Sequence, residues 1–147
     1  MSEASNDQDR KTLIARQFIS ALPHAKELGM KIVDVGDGTA TVTMPYDERL
    51  IGDPETKVIH GGAVSALMDT CCGAAVMSHP AALGGTATID LRIDYMRPAT
   101  PGQTITTTAT CYHVTRSVAF VRAVASDEDA QRPVASATGA FTVEGAK

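Results

Sequence analysis

The chain has 147 residues, a hydrophobic fraction of 44% and a formal net charge of -4, which fits one globular domain with a sizeable core. Its basic residues are not clustered and aromatic residues make up only 4%, so the composition argues against nucleic-acid binding. The three cysteines lack the C-x-x-C spacing of zinc sites, and their odd number does not suggest a disulfide framework. Because the polar, acidic N-terminus also lacks the pattern of a secretory signal, we expect a cytoplasmic protein.

The N-terminal segment 1–11 is polar without apolar periodicity and is expected to be a disordered tail, followed by a single domain over 12–147. A short amphipathic helix is predicted over residues 12–22, with Thr12 as its N-cap and Pro23 as its stop signal. The apolar residues that fall at helical spacing are Leu13, Ile14, Phe18, Ile19 and Leu22.

A period of two residues then replaces the helical period. Residues 31–35 and 39–44 predict two strands joined by the turn 36–38. A loop over 47–57 follows, with the turn signal Gly52-Asp53-Pro54. These features predict a β-hairpin and a long connection ahead of the next element.

A helix is predicted from Gly61 to about Ser78, and it is apolar on nearly every side. The apolar segment 58–77 is long enough to suggest a membrane span. It contains three glycines and the ionisable Asp69, however, which are unfavourable in lipid. We therefore expect a central helix buried by protein and no association with a membrane.

The remaining chain is predicted to be β-structure. Residues 88–95 alternate strictly between apolar and polar, and three further strands are predicted over 104–114, 117–126 and 133–143. Their short connections require antiparallel pairing. The prediction is an α+β fold in which a curved antiparallel sheet wraps around one long central helix, with a short N-terminal helix outside.

The chemistry is concentrated at the start and middle of the central helix. Gly61 and Gly62 open it, so backbone amides without intrahelical partners lie at its positive end and a ligand oxygen can approach closely. Asp69 is the only Asp, Glu, Lys or Arg between Val58 and Pro80. Asp69 is either a core carboxylate held by buried donors or a catalytic group, since isolated carboxylates of this kind tend to lie in active sites.

The spacing of these groups constrains any shared site. Asp69 lies eight residues beyond Gly61, or roughly 12 Å along the helix axis, so one helix cannot place both at the same reacting atom. Two copies packed about a two-fold axis near the small residues Ser65 and Ala66 can do so. If Gly61 and Asp69 act together, the sequence predicts two sites at a dimer interface.

Two segments carry a resemblance to a known family. The segment His60-Gly61-Gly62 through Asp69-Thr70, with Gly73-Ala74-Ala75, resembles the signature of hotdog-fold thioesterases of the phenylacetate-pathway (PaaI) type. The run Thr88-Ile89-Asp90-Leu91-Arg92-Ile93-Asp94-Tyr95-Met96-Arg97-Pro98-Ala99 resembles the next strand of the same family, and the likeness covers about residues 22–144.

The resemblance implies a hotdog fold and roles for particular residues. Asp69 matches the general base or nucleophile, the Gly61 amide matches the group that polarises the thioester carbonyl, and Thr88 matches a hydroxyl that helps to hold the attacking water. In the loop before His60 the family often has Asn, and Asp53 is the nearest candidate here. The family acts on acyl-CoA esters without a metal or organic cofactor. Coenzyme A itself is counted as part of the substrate.

Other residues are candidates with open alternatives. His60 is either a general acid or base or a group that orients the turn before the helix, and Gly62 is a substrate-binding position. Met68 is either a core residue or part of an acyl pocket. Arg97 and Arg116 are either solvated or ligands of the CoA phosphates, which suit a guanidinium group.

The expected function is hydrolysis of an acyl-CoA thioester to a free acid and CoA by water that Asp69 activates. Direct attack by the carboxylate, through an anhydride, is the alternative mechanism. A non-catalytic acyl-CoA binding or sensing module is the alternative function, and a hydratase is a third. The expected partners are the small-molecule substrate and a second copy of the chain, in a homodimer or a homotetramer that is a dimer of dimers.

Overall fold

The structure is a computed structural model that describes residues 3–82 and 84–144. Three helices and six strands make up the described chain, with a short 3-10 turn at Glu48–Leu50. The helices are α1 (Glu3–Ala21), α2 (Pro23–Glu27) and α3 (Gly61–Ser78). The strands are β1 (Lys31–Gly36), β2 (Thr39–Met44), β3 (Thr88–Tyr95), β4 (Ile105–Val114), β5 (Val118–Ser126) and β6 (Ala135–Thr142).

The six strands form one antiparallel sheet in the order β1-β2-β4-β5-β6-β3. Helix α3 contacts every strand of this sheet, which requires the sheet to curve around it. The period-two pattern of β4 explains one wall of the core, because its alternate residues Ile105, Thr107 and Ala109 are fully buried against the helix. The predicted α+β hotdog arrangement is therefore confirmed.

The N-terminal helix is longer than the sequence predicts. Helix α1 begins at Glu3, so the segment 3–11 that we expect to be a disordered tail is helical. Thr12 is not an N-cap, because it lies inside the helix and its hydroxyl donates to the Gln8 carbonyl at 3.0 Å. Charged and polar residues are adequate helix formers, and they extend a helix whose later turns pack on the core.

Two further features of the helices qualify the sequence analysis. Pro23 ends α1, as predicted, but it also begins the unpredicted helix α2, where its missing N–H group costs nothing. In the described residues, no helix combines the length and apolar character that a membrane crossing needs.

Strand β3 carries a β-bulge that changes which side chains face the helix. Thr88 pairs with Phe141 and Asp90 with Ala140, so Ile89 is an extra residue on β3. Strict alternation would place Thr88 on the opposite face from Tyr95. The extra residue inverts the alternation, so that Thr88 and Tyr95 both point toward α3, and it leaves Ile89 exposed.

A buried ion pair fixes the segment that follows β3. The Arg97 guanidinium binds the fully buried Asp127 carboxylate through two hydrogen bonds of 2.7 Å. Asp127 also accepts hydrogen bonds from the amide and hydroxyl of Thr100. The hydrogen bonds from Arg97 hold the pKa of Asp127 well below its usual range, against the opposing effect of burial.

We predict that Asp127→Asn lowers the free energy of unfolding by on the order of 3 kcal/mol, because it removes the carboxylate that neutralises the largely buried Arg97 charge. The native pKa of Asp127 lies below the unfolded value, so this stabilisation is complete above about pH 4 and declines as the pH falls further. Urea unfolding of the parent protein and of Asp127→Asn, at neutral and at acidic pH, measures the difference in the free energy of unfolding. Asp129→Asn, which removes only an exposed ion pair with Arg132, is the matched control and should have little effect. Equal stability of the two variants would contradict a structural role for the buried pair.

Candidate active site

The carboxylate of Asp69 lies half-buried on the middle of α3, and its closest partner comes from β3. The Thr88 hydroxyl donates to Asp69 Oδ1 at 2.6 Å. This contact depends on the bulge at Ile89, which turns the Thr88 side chain toward the helix. Among the described residues, the second carboxylate oxygen of Asp69 has no recorded hydrogen-bond partner. One oxygen is therefore held in place while the other remains available to a reactant.

A small pocket of about 140 Å³ adjoins Asp69. Its walls come from α1, from α3 and from the chain that leads into β3. The aromatic rings of Phe18 and Phe141 and the open backbone of Gly73 make most of it apolar, whereas Asp69 and Thr88 supply polar groups. An apolar recess with a few placed polar groups is typical of a ligand site.

The N-terminus of α3 presents one free backbone donor. His60 is the N-cap, and its Nδ1 accepts a hydrogen bond from the Gly62 amide at 2.8 Å. The amide of Gly61 has no acceptor among the described residues. The His60 ring therefore orients the turn before the helix, and Gly61 provides the free donor at its positive end.

Tyr95 and Ser65 support this helix terminus, although neither hydroxyl is predicted from the sequence to have a role. The Tyr95 hydroxyl donates to the Gly61 carbonyl at 2.9 Å and also contacts the Ser65 hydroxyl. Ser65 in turn donates to the same carbonyl at 3.1 Å. The bulge in β3 is the reason that Tyr95 shares a face with Thr88, and no sequence pattern signals it.

The two polar centres remain separate within one chain. Thr88 at the start of β3 contacts Asp69, whereas Tyr95 at the end of the same strand contacts Gly61. Strand β3 therefore runs antiparallel to α3 and spans the distance between the centres. The roughly 12 Å between Gly61 and Asp69 along the helix is thus not bridged by the fold of one chain.

Comparison with known proteins places this architecture in a family. The model of the thioesterase superfamily matches residues 56–134, which is more than half of the chain. The chain belongs to the thioesterase superfamily. The matched region contains both motifs, from the start of α3 to the end of β3.

Relatives of this thioesterase-superfamily chain include two named Escherichia coli proteins. The medium/long-chain acyl-CoA thioesterase YigI is 26% identical over 97% of this chain and 99% of the relative. The acyl-coenzyme A thioesterase PaaI is 34% identical over 60% of each chain. The structure of PaaI matches with a TM-score of 0.81 at 25% identity, over 95% of this chain and 98% of PaaI. A Pseudomonas aeruginosa crystal structure is 40% identical, with a TM-score of 0.80 over 90% and 98% of the two chains.

Arg97 does not have the free guanidinium that a phosphate ligand needs. All five of its N–H donors are used, by Asp127 and by the backbone carbonyls of Pro98 and Arg132. These hydrogen bonds weigh against the predicted contact between Arg97 and the CoA phosphates, which stays a prediction. Arg116 is exposed in the turn between β4 and β5, with no recorded partner among the described residues, and stays a candidate.

Asp53 and Met68, both predicted substrate contacts, each have a structural role in the described chain. Asp53 caps its own loop by accepting a hydrogen bond from the Glu55 amide at 2.9 Å, and this bond lowers its pKa. Met68 is fully buried and lines none of the described pockets, so the core interpretation fits it better than the acyl-pocket interpretation.

The cysteines on α3 are not activated nucleophiles. Burial raises the pKa of the Cys71 thiol to about 12 and raises that of Cys72 further. Cys71 instead donates to the carbonyls of Ala40 and Thr107 in the sheet. Both residues pack the core, as the sequence analysis expects.

We predict different effects on stability when alanine replaces each of the two glycines. A Cβ atom on Gly61 would lie 3.4 Å from the Tyr95 ring, an ordinary contact, and alanine favours the helix by roughly 0.5–1 kcal/mol. A Cβ atom on Gly62 would lie 2.9 Å from His60 Nδ1, which displaces the cap at a cost of about 1 kcal/mol. Thermal melts should therefore rank Gly61→Ala above Gly62→Ala.

The His60→Ala background supplies the control for this pair. With the cap already absent, Gly62→Ala should no longer carry its penalty, and the two glycine variants should melt at similar temperatures. If the ranking is the same with and without His60, the ring does not act as the cap.

Proposed function

We propose that this chain is an acyl-CoA thioesterase in which Asp69 activates the attacking water. The observation that carries the proposal is the hydrogen bond from Thr88 to Asp69 Oδ1 at the edge of a pocket that both residues line. Membership of the thioesterase superfamily supports it, as do the names of the relatives YigI and PaaI, which are acyl-CoA thioesterases.

The proposed reaction begins with water held between the Asp69 carboxylate and the Thr88 oxygen. The water oxygen attacks the thioester carbonyl carbon while a proton passes to Asp69. The negative charge that develops on the carbonyl oxygen is stabilised by the free Gly61 amide at the positive end of α3. When the intermediate collapses, the carbon–sulfur bond breaks, and the proton on Asp69 passes to the leaving CoA thiolate. The chain needs no metal or organic cofactor for these steps.

Each proposed site combines two chains. The α3 face that the sheet leaves open consists of small and polar residues, including Ser65, Ala66 and Asp69, which are only half-buried. Strand β3 is an edge of the sheet beside this face. Ile89 and Tyr95 on this strand, and Met96 just after it, are more than half exposed. Packing the open face of α3 and the edge strand β3 against a second copy would bury both. It would also bring Gly61 of one chain to Asp69 of the other.

We predict that Asp69→Asn lowers turnover of acyl-CoA esters by roughly 10²- to 10⁴-fold, the usual scale of general base catalysis. Thr88→Val removes one hydrogen bond to the charged carboxylate, worth about 1.5–3 kcal/mol, and should lower turnover by roughly 10- to 100-fold. Steady-state kinetics with thiol detection, on a panel of aryl- and alkyl-CoA esters, measures both effects.

Asp34→Asn is the matched control, because Asp34 is an exposed carboxylate on β1 at the opposite edge of the sheet. It should retain the parent's turnover. A folded Asp69→Asn protein with undiminished turnover would rule out Asp69 as the base. A parent protein that binds acyl-CoA esters but hydrolyses none of the panel would favour the binding-module alternative.

A further inference from the structure

An apolar seam runs between helices α1 and α3 beyond the pocket at Asp69. We define it by Ile14, Ala15 and Phe18 of α1, Ala74 and Met77 of α3, and Val35 of β1 at its floor. It encloses about 200 Å³. Apolar cavities of about 150 Å³ stay dry and accept apolar guests of the size of benzene, so the seam has room for several methylene groups.

The seam continues the pocket at Asp69. Phe18 lines both cavities, so one aromatic side chain forms the boundary between them. Gly73 stands at the same junction on α3, where an added Cβ would find only the Phe141 ring within 4 Å, at 3.9 Å. The missing side chain at Gly73 therefore leaves space in the wall of the pocket at Asp69, next to Ala74 of the seam.

The residues along the seam give it a direction. On α3 they progress from Thr70 and Gly73 beside Asp69 to Ala74 and Met77, a single helical face. On the N-terminal side they progress in the opposite chain direction, from Leu22 just after α1 to Phe18, Ala15 and Ile14 of α1. Met77 lies seven residues beyond Thr70, or about 10 Å along the helix axis, so the seam leads away from the carboxylate.

The lining of the seam is mainly apolar, and Nε2 of His79 is its one polar side-chain atom without a recorded partner among the described residues. Of its two polar side chains, Ser78 donates its hydroxyl to the carbonyls of Ala75 and Thr39. The Nδ1 atom of the other, His79, accepts from the Ala81 amide at 3.0 Å. No Asp, Glu, Lys or Arg lines it among the described residues. A guest that gains from this surface is a flexible apolar chain.

We propose that the seam holds the distal part of an aliphatic acyl chain whose thioester carbonyl lies at Asp69. Helix α1 then determines the preferred chain length, and the favoured substrates carry medium or long straight chains. This inference rests on the proposed thioesterase function, because Asp69 defines the end of the seam from which the chain enters. An aryl group attached close to the carbonyl fills only the pocket at Asp69 and leaves the seam empty.

The first test compares chain-length profiles. Ala15→Phe places a ring in the seam, and Leu13→Phe, on the exposed side of the same helix, is the matched control. The parent is assayed with acetyl-, hexanoyl-, decanoyl- and palmitoyl-CoA. We expect Ala15→Phe to lower the ratio of kcat/KM for decanoyl-CoA to that for acetyl-CoA by about 10-fold or more, and the control to leave it unchanged. An unchanged ratio in a folded Ala15→Phe protein would overturn the inference while leaving the thioesterase proposal intact.

The second test detects occupancy without hydrolysis. The chain contains no tryptophan, so Met77→Trp introduces a single fluorophore at the far end of the seam. Binding of the non-hydrolysable decyl thioether of CoA should shift its emission, whereas the ethyl thioether, which is too short, should not. The same pair of ligands added to Leu13→Trp should give no shift.

The two tests separate the seam from the reaction. A decyl-specific shift in a protein that hydrolyses no acyl-CoA ester would support the seam and contradict the proposed function. Active hydrolysis with identical emission for both thioethers would contradict the seam and support the function.

Discussion

A carboxylate on a helix that a sheet encloses is the constraint on which this structure depends. Helix α3 touches every strand, and ten of its residues are buried, so a charge in its middle is unfavourable unless a donor and some access to water are provided. The fold provides a donor and access to water at Asp69, with the Thr88 hydroxyl on one carboxylate oxygen and a pocket that the residue lines. The bulge at Ile89 makes that contact possible, because without it Thr88 would face away from the helix. Bulges are common beside active sites because they redirect a side chain without changing the rest of the sheet.

The rigidity of α3 has a second consequence. The free Gly61 amide and the Asp69 carboxylate are attached to one helix, so no movement of a loop can bring them together. Tyr95 and Ser65 further fix the helix terminus by binding the Gly61 carbonyl. A site that uses both groups therefore requires a second chain, and the open face of α3 beside the edge strand β3 is the surface on which that chain would pack.

Much of the fold follows from the sequence because its patterns are local. The period of two predicts β2 and β3 with the bounds that the structure has, and the apolar run after the two glycines predicts α3 in the same way. The helical segment 3–11 could not be predicted from apolar periodicity, because polar residues form it and its support comes from the packed turns that follow.

The site was predictable to a smaller extent. Asp69 and Gly61 stand out because a lone charge and paired glycines are unusual on an apolar helix. For His60, the structure agrees with the second of its two interpretations, in which the ring orients the turn before the helix. The register shift in β3 depends on how β3 pairs with β6, far along the chain, and the sequence alternation conceals it. The partner of Arg97 lies thirty residues away in another loop, so its occupied guanidinium could not be inferred from its neighbours.

Subunit complementation tests the central claim, a site shared between two chains, most directly. Asp69→Asn and Gly61→Val should each be nearly inactive alone, the first without its base and the second with its oxyanion donor obstructed. When the two variants exchange subunits, a mixed dimer pairs the intact Asp69 of one chain with the intact Gly61 of the other. Random mixing should restore up to about a quarter of the parent's acyl-CoA hydrolysis, because half of the dimers are mixed and each holds one intact site. Absence of any recovered activity, with subunit exchange verified by mass spectrometry, would contradict the shared site.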